Sequence, residues 1–153
     1  IRLSLVGSEM CIRDRTVTAP TVSGTTGTLA SLDGAYSIDV AGNYAYVAVS
    51  TVGALAVIDI SNKSSPSLSG TTGTHASLTG AQGVAVSGDY AWVGANSLDA
   101  VVSVDVSNPV SPSVVSSTGT TTSLDGVIRV ALSGNYVVAA TNVRDSLTMV
   151  GTS

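Results

Sequence analysis

The sequence has no phenylalanine, one cysteine, one histidine and one lysine, and charged residues make up only 10% of its 153 positions. Each shortage excludes something. One cysteine, Cys11, cannot form an intrachain disulfide, a redox pair or a thiolate metal site. One histidine, His75, has no second imidazole with which to share a metal. Six dispersed basic residues without interleaved aromatics lack the electrostatic footprint of a nucleic-acid binder, so no nucleic-acid partner is expected. No run approaches the roughly 20 apolar residues of a membrane helix, so no membrane span is expected either. No apolar stripe at 3.6-residue spacing extends far enough to predict a helix. No metal or cofactor is expected. What is present is Ala, Val, Ser, Thr and Gly, with a hydrophobic share of 44%. That composition argues against disorder and for β-structure, because β-branched side chains suit a pleated, half-buried surface.

Residues 1–15, IRLSLVGSEMCIRDR, stand apart. They hold the only cysteine, the only glutamate (Glu9) and three of the six basic residues. Leu5 through Arg15 resemble the translation of a transposase-based sequencing-library adapter over eleven consecutive residues. The rival reading, a degenerate strand of a preceding repeat, rests on Ser4, Val6, Gly7 and Ile12 coinciding with Ser50, Val52, Gly53 and Ile58. The segment is read as non-native and set aside from fold reasoning, as a fusion scar would be. Residues 16–153 then keep three cations against eight acids and have no cysteine.

Residues 16–153 repeat themselves. GAYSIDVAGNYAYVAVSTVGALAVIDIS (34–61) returns 46 residues later as GAQGVAVSGDYAWVGANSLDAVVSVDVS, and again from Gly126 as GVIRVALSGNYVVAATNVRDSLTMV. Pro20, Pro66 and Pro112 keep the register, as do Leu32, Leu78 and Leu124, and Tyr44, Tyr90 and Tyr136. Periods of 20–50 residues indicate stacked or radial repeat folds. The units run over about 20–65, 66–111 and 112–153 of a single domain.

Each unit predicts four short strands. The first covers Tyr36–Val40, Gly83–Val86 and Arg129–Leu132; the second, Tyr44–Val49, Tyr90–Ala95 and Tyr136–Thr141. The third covers Leu55–Ile60, Val101–Val106 and Leu147–Val150; the fourth, Thr21–Thr25, Ser67–Thr71 and Ser113–Ser117. Residues alternate with period two, Ile38 and Val40 against Ser37 and Asp39. Gly42-Asn43, Gly88-Asp89 and Gly134-Asn135 supply the tolerance of positive φ that a tight hairpin needs. The Pro-containing SNKSSP and SNPVSP close the third connection, since Pro cannot donate within a central strand. Four antiparallel strands per unit predict an all-β chain of about three β-propeller blades.

Phrases such as GNYAYVA, ALAVIDISN and VVSVDVSNPVSP resemble the LVIVD repeat family of propeller-forming repeats in bacterial and archaeal surface proteins. The resemblance covers residues 16–153 and weakens at the end, where Gly151 replaces the acid matched by Asp59 and Asp105. It implies an extracellular or cell-surface location and a binding or scaffold role. Three blades fall below the 4–8 of a typical closed ring. The chain is therefore expected to be truncated, with further blades in a parent protein, or to pair with a second copy into six blades.

Antiparallel succession puts the four-to-one and two-to-three loops on one face of the arc. Residues shared by all units gather on the opposite face and read as structural, while residues that differ gather on this one. Divergent loops on a fixed scaffold are where binding residues concentrate. Candidate ligand-facing residues are Asp33 and Asp125 in the four-to-one loops, with Thr79 between them in register, and His75 beside them. Tyr36, Gln82 and Arg129 enter the inner strands. Asn96, Asp99, Arg144 and Asp145 lie in the two-to-three loops. Paired acids suit acid–base work or Ca²⁺, but an Asp-Gly turn explains Asp33 and Asp125 more simply. His75 aligns with Leu29 and Thr121 and reads as a solvated loop residue. Arg129, whose counterparts Ser37 and Gly83 are small, either reaches a ligand in the channel or fills it. Asp59 and Asp105 read as hydrogen-bonding strand ends, and Trp92, in the column of Tyr46 and Val138, as packing between blades. SGTTGT has neither the Lys nor the helix of a phosphate loop, and the glycosylation triplet Asn62-Lys63-Ser64 is common by chance.

Two functions follow. The leading one is a non-enzymatic module binding a protein or glycan ligand, joined to the remaining blades of its parent. The alternative is part of a propeller hydrolase or lyase acting on glycans through rim acids, which needs acids and histidines converging on the loop face.

Overall fold

A computed structural model describes residues 21–152. The adapter-like segment 1–15 and Pro20 lie outside the described residues. Strands β1 (Ala35–Ala41), β2 (Tyr44–Val49), β3 (Ala54–Asp59) and β4 (Ser67–Thr71) form one sheet in chain order. Strands β5 (Ala81–Ser87), β6 (Tyr90–Ala95), β7 (Ala100–Asp105) and β8 (Ser113–Ser117) form a second. Strands β9 (Val127–Ser133), β10 (Tyr136–Thr141) and β11 (Ser146–Gly151) form a third. Every pairing is antiparallel. These are blades of a β-propeller, with β5 packed between β1 and β9 at the inner side of an open arc.

The predicted second strands and two of the fourth strands match residue for residue; the others shift by a residue or two at their ends. Thr21–Thr25 is the exception. It forms no strand, because among the described residues it has no sheet edge beside it. Three-residue 3-10 turns at Ala30–Leu32, Ala76–Leu78, Asn96–Leu98 and Thr122–Leu124 were not legible in the sequence. They are too short to leave a periodic signal.

Turn chemistry fixes each hairpin. Gly42, Gly88 and Gly134 take φ of 59°, 58° and 56° at the first position of the two-residue turns. The third connection is built on side-chain acceptors. Asp59 Oδ1 accepts the Ser61 N–H at 2.8 Å and Asn62 Oδ1 the Ser64 N–H at 3.1 Å. Asp105 with Ser107 and Asn108 with Val110 repeat this in the second blade.

The alternation of the strands does not separate core from solvent as in a one-sided sheet. It separates the face toward the preceding blade from the face toward the following one. Tyr46, Ala48, Leu55 and Val57 of the first blade bury against Leu78, Ala81, Val84 and Val93 of the second. Trp92 and Val101 of the second meet Leu124, Val127, Val130 and Val137 of the third. Trp92 thus packs between blades, as its column predicted. At the two ends these faces are uncovered: Ile38 and Val40 are 62% and 55% exposed, Leu147 and Met149 72% and 55%.

Candidate functional site

The inner strands reach the divergent face through a shared irregularity. In β1 the pairing register slips between Ala35 and Ser37, in β5 between Ala81 and Gly83, and in β9 between Val127 and Arg129. One residue of each blade, Tyr36, Gln82 or Ile128, is left unpaired at the same place. A β-bulge re-aims the side chain it carries, so three different side chains leave equivalent strands at one mouth of the arc.

Arg129 joins two of the blades there. Its guanidinium carbon lies 5.5 Å from the centroid of the Tyr36 ring, and Nη1 donates to the Ile128 carbonyl at 3.1 Å. Both side chains are exposed. Gly83 makes the approach of β9 feasible, because a Cβ there would stand 3.0 Å from the Arg129 Cα and 2.9 Å from the Val130 nitrogen. The cation–π contact is worth about 0.5–1 kcal/mol at such an exposed site. Its chemical meaning is orientation, since a guanidinium laid on a ring still presents edge N–H groups to an acceptor.

The other candidates divide. Asp125 Oδ2 pairs with Arg144 Nε at 3.5 Å, a partly exposed ion pair across the third blade's own loops. Asp99 is taken up by the scaffold: at φ 52° it closes its 3-10 turn, and its Oδ1 accepts the Gly126 N–H of the next blade at 2.9 Å. Asp145 occupies the same left-handed position, φ 51°, and is exposed. His75 caps its 3-10 turn, Nδ1 accepting the Ser77 N–H at 3.2 Å. Asn96 begins the turn that Asp99 ends, and its N–H donates to the Gly80 carbonyl at 2.9 Å. Asp33 is exposed beyond the Ala30–Leu32 turn, and Gln82 is half-buried at its bulge. No group of three or more His, Cys, Asp or Glu placed to hold a metal occurs among the described residues.

The structure therefore brings together Tyr36 and Arg129, and separately Asp125 and Arg144. It adds Asp39, which sequence reasoning did not single out and whose carboxylate crosses to the second blade. The column of Gly53, Asp99 and Asp145 signals the left-handed turn at Asp99, but not its bond to Gly126.

The model of the LVIVD repeat matches residues 34–74 and 80–120, more than half of the sequence. The chain belongs to the LVIVD repeat family. Both matched LVIVD repeats run from the positive-φ glycine before the inner strand, Gly34 or Gly80, through the outer strand, so each covers one complete blade. No curated protein matches this LVIVD chain. Among solved structures it is similar to the computationally designed Ika4 protein (TM-score 0.58, 12% identity, 76% of this chain and 64% of that one). It is also similar to the designed Ika8 protein (TM-score 0.56, 13% identity, 75% and 32%). A third is a functionally unknown protein from Desulfotomaculum acetoxidans DSM 771 (TM-score 0.59, 14% identity, 76% and 41%). At these identities the likeness is one of fold. The LVIVD chain spans less than two thirds of the length of each.

Proposed function

We propose that the chain is a non-enzymatic binding module of a larger cell-surface or secreted propeller protein, taking its ligand at the mouth formed by Tyr36, Gln82, Ile128 and Arg129. The observation that carries this reading is the Arg129–Tyr36 stack standing beside three equivalent bulges that aim three different side chains. The free N–H edge of Arg129 fits a carboxylate, and the Tyr36 ring offers an apolar face beside it. The ligand is a carboxylate-bearing protein or glycan surface, and the remaining blades of the parent supply the rest of the mouth. Family membership supports the surface location, because LVIVD repeats resemble modules of surface proteins. A hydrolase or lyase would call on free acids at the rim. Of the rim acids, Asp125 is engaged with Arg144 and Asp99 with Gly126, which leaves Asp33 and Asp145, exposed on the first and third blades.

Calorimetric titration with polygalacturonate and poly-glutamate tests the site, with dextran as the neutral control. Binding of at least one acidic polymer is expected, weakened about tenfold by Arg129→Ala and less by Tyr36→Ala. Equal affinity in wild type and Arg129→Ala would reject the mouth as the site. New reducing or unsaturated ends in the polygalacturonate would establish the enzyme instead. Protease shaving of intact cells that make the parent protein tests the location; protection of the chain would count against the surface.

A further inference from the structure

The triplet Asn62-Lys63-Ser64 meets the requirement for N-linked glycosylation, an asparagine followed two positions later by a hydroxyl with no proline between. No other asparagine of the sequence meets it. As a string of letters the match is common, but the fold gives it a place. The triplet forms the tip of the connection between β3 and β4, and Ser61 through Ser65 are all exposed. Antiparallel succession sends that connection out on the face opposite the Arg129 mouth.

Asn62 also builds the turn, but with atoms that glycosylation does not use. Its Oδ1 accepts the Ser64 N–H at 3.1 Å, and its backbone carbonyl accepts the Ser65 N–H at 3.0 Å. Nδ2 makes no hydrogen bond among the described residues. A sugar on Nδ2 replaces one of its two hydrogens and leaves Oδ1 an acceptor, so the turn survives the modification. The second blade supplies the control. Asn108 makes the same two bonds, to the Val110 N–H at 3.2 Å and the Ser111 N–H at 3.0 Å. Both turns are also backed alike: a Cβ on Gly24 would collide with the Lys63 and Ser64 backbone, and one on Gly70 with that of Pro109 and Val110. Yet the second triplet reads Asn108-Pro109-Val110, which is no acceptor. The turn therefore needs its asparagine and does not need a hydroxyl two positions on. Its geometry accounts for Asn62 and leaves Ser64 unaccounted for.

We propose that Asn62 is a glycosylation site and carries an oligosaccharide through an N-glycosidic bond. Nδ2 attacks the anomeric carbon of an oligosaccharide linked to a polyprenyl pyrophosphate. The bond from that carbon to the pyrophosphate oxygen breaks, the pyrophosphate leaves with the electron pair, and the Nδ2 proton passes to a base of the transferase. The proposal rests on the surface or secreted location proposed above, where such transferases act, and is independent of what binds at the Arg129 mouth. Placed on the opposite face, the sugar leaves that mouth open.

The full chain secreted from a glycosylating eukaryotic host should exceed its 15.1 kDa by the mass of one glycan. Peptide-N-glycosidase should remove the excess and leave aspartate at position 62. Ser64→Ala should abolish the gain and Ser64→Thr should keep it. Ser64→Ala retains the backbone N–H that Asn62 Oδ1 binds, as Val110 does in the second blade, so its circular dichroism should match wild type and misfolding cannot explain the loss. An unshifted wild-type mass, or a gain that survives Ser64→Ala, would overturn the proposal. In cells that make the parent protein, mass spectrometry of peptides shaved from the surface should find Asn62 carrying sugar. Shaved peptides with Asn62 bare would overturn the glycosylation site while leaving the surface location standing.

Discussion

The Asp39 carboxylate binds two blades together: Oδ2 accepts the Val86 N–H of β5 at 2.7 Å, and Oδ1 accepts the neighbouring Val40 N–H at 2.8 Å. Inner strands of adjacent blades belong to different sheets, so their outward backbone donors have no ladder partner. A half-buried carboxylate satisfies one of them while both of its oxygens stay in use. The next interface is built differently. Asp39 is replaced in register by Ala85, and the close approach at Gly83 takes its place.

Asp39→Ala should lower stability by about 1 kcal/mol, the usual worth of a hydrogen bond to a partly solvated charged group. Asp39→Asn should cost nearly as much, since the amide keeps one acceptor and points a donor at an N–H. Urea unfolding checks both. An unchanged midpoint for Asp39→Ala would show that the bond contributes nothing.

Asp99 separates conformation from contact. Its left-handed φ penalises a Cβ-bearing residue without a compensating side-chain bond, and its carboxylate supplies that bond to Gly126. Asp99→Ala should therefore destabilise by about 1–2 kcal/mol. Asp99→Gly, which reproduces the first blade's Gly53, should cost distinctly less because it relieves the backbone. Equal losses for the two variants would mean that the backbone strain is not felt.

Asp59 and Asp105 give the fold an acid dependence. The Ser61 hydroxyl and then its N–H hold the Asp59 carboxyl below the ordinary aspartate range, and Ser107 does the same for Asp105. A carboxyl whose folded pKa is depressed adds stability that is complete above its unfolded pKa of about 3.9 and disappears as pH falls through the lower folded value. Thermal unfolding should hence show a midpoint that drops as pH falls from about 5 to 3, less steeply in Asp59→Asn/Asp105→Asn. Parallel pH profiles in the two proteins would exclude these carboxylates as the source.

The blades were legible because their determinants are local. Gly42, Gly88 and Gly134 set the hairpins, Asn62 and Asn108 the third turn, and the alternating Val, Ile and Ala the strands between them. The assignment of the alternating faces was not local. Ile38 and Val84 occupy the same column, yet Ile38 is 62% exposed and Val84 6%, because among the described residues only Val84 has a blade before it. The loop positions were legible, since Asp33, His75, Asn96, Asp99, Arg144 and Asp145 all fall outside the strands. Their grouping was not. Asp99 and Asp125 look alike as rim acids, and one is bound to a backbone N–H of the next blade while the other faces Arg144.

By itself the sequence determined the 46-residue unit, the antiparallel order of its strands and the membership in a repeat fold. Strand propensity, hairpin φ and period-two alternation are settled between near neighbours and recur wherever the unit recurs. Tertiary structure alone decided which side chains meet at the mouth and which faces remain open. Arg129 and Tyr36 are 93 positions apart, and Asp39 and Val86 are 47 apart. Such contacts depend on how one blade seats on the next, through the bulges at Tyr36, Gln82 and Ile128 and the missing side chain of Gly83, and no single unit encodes that seating.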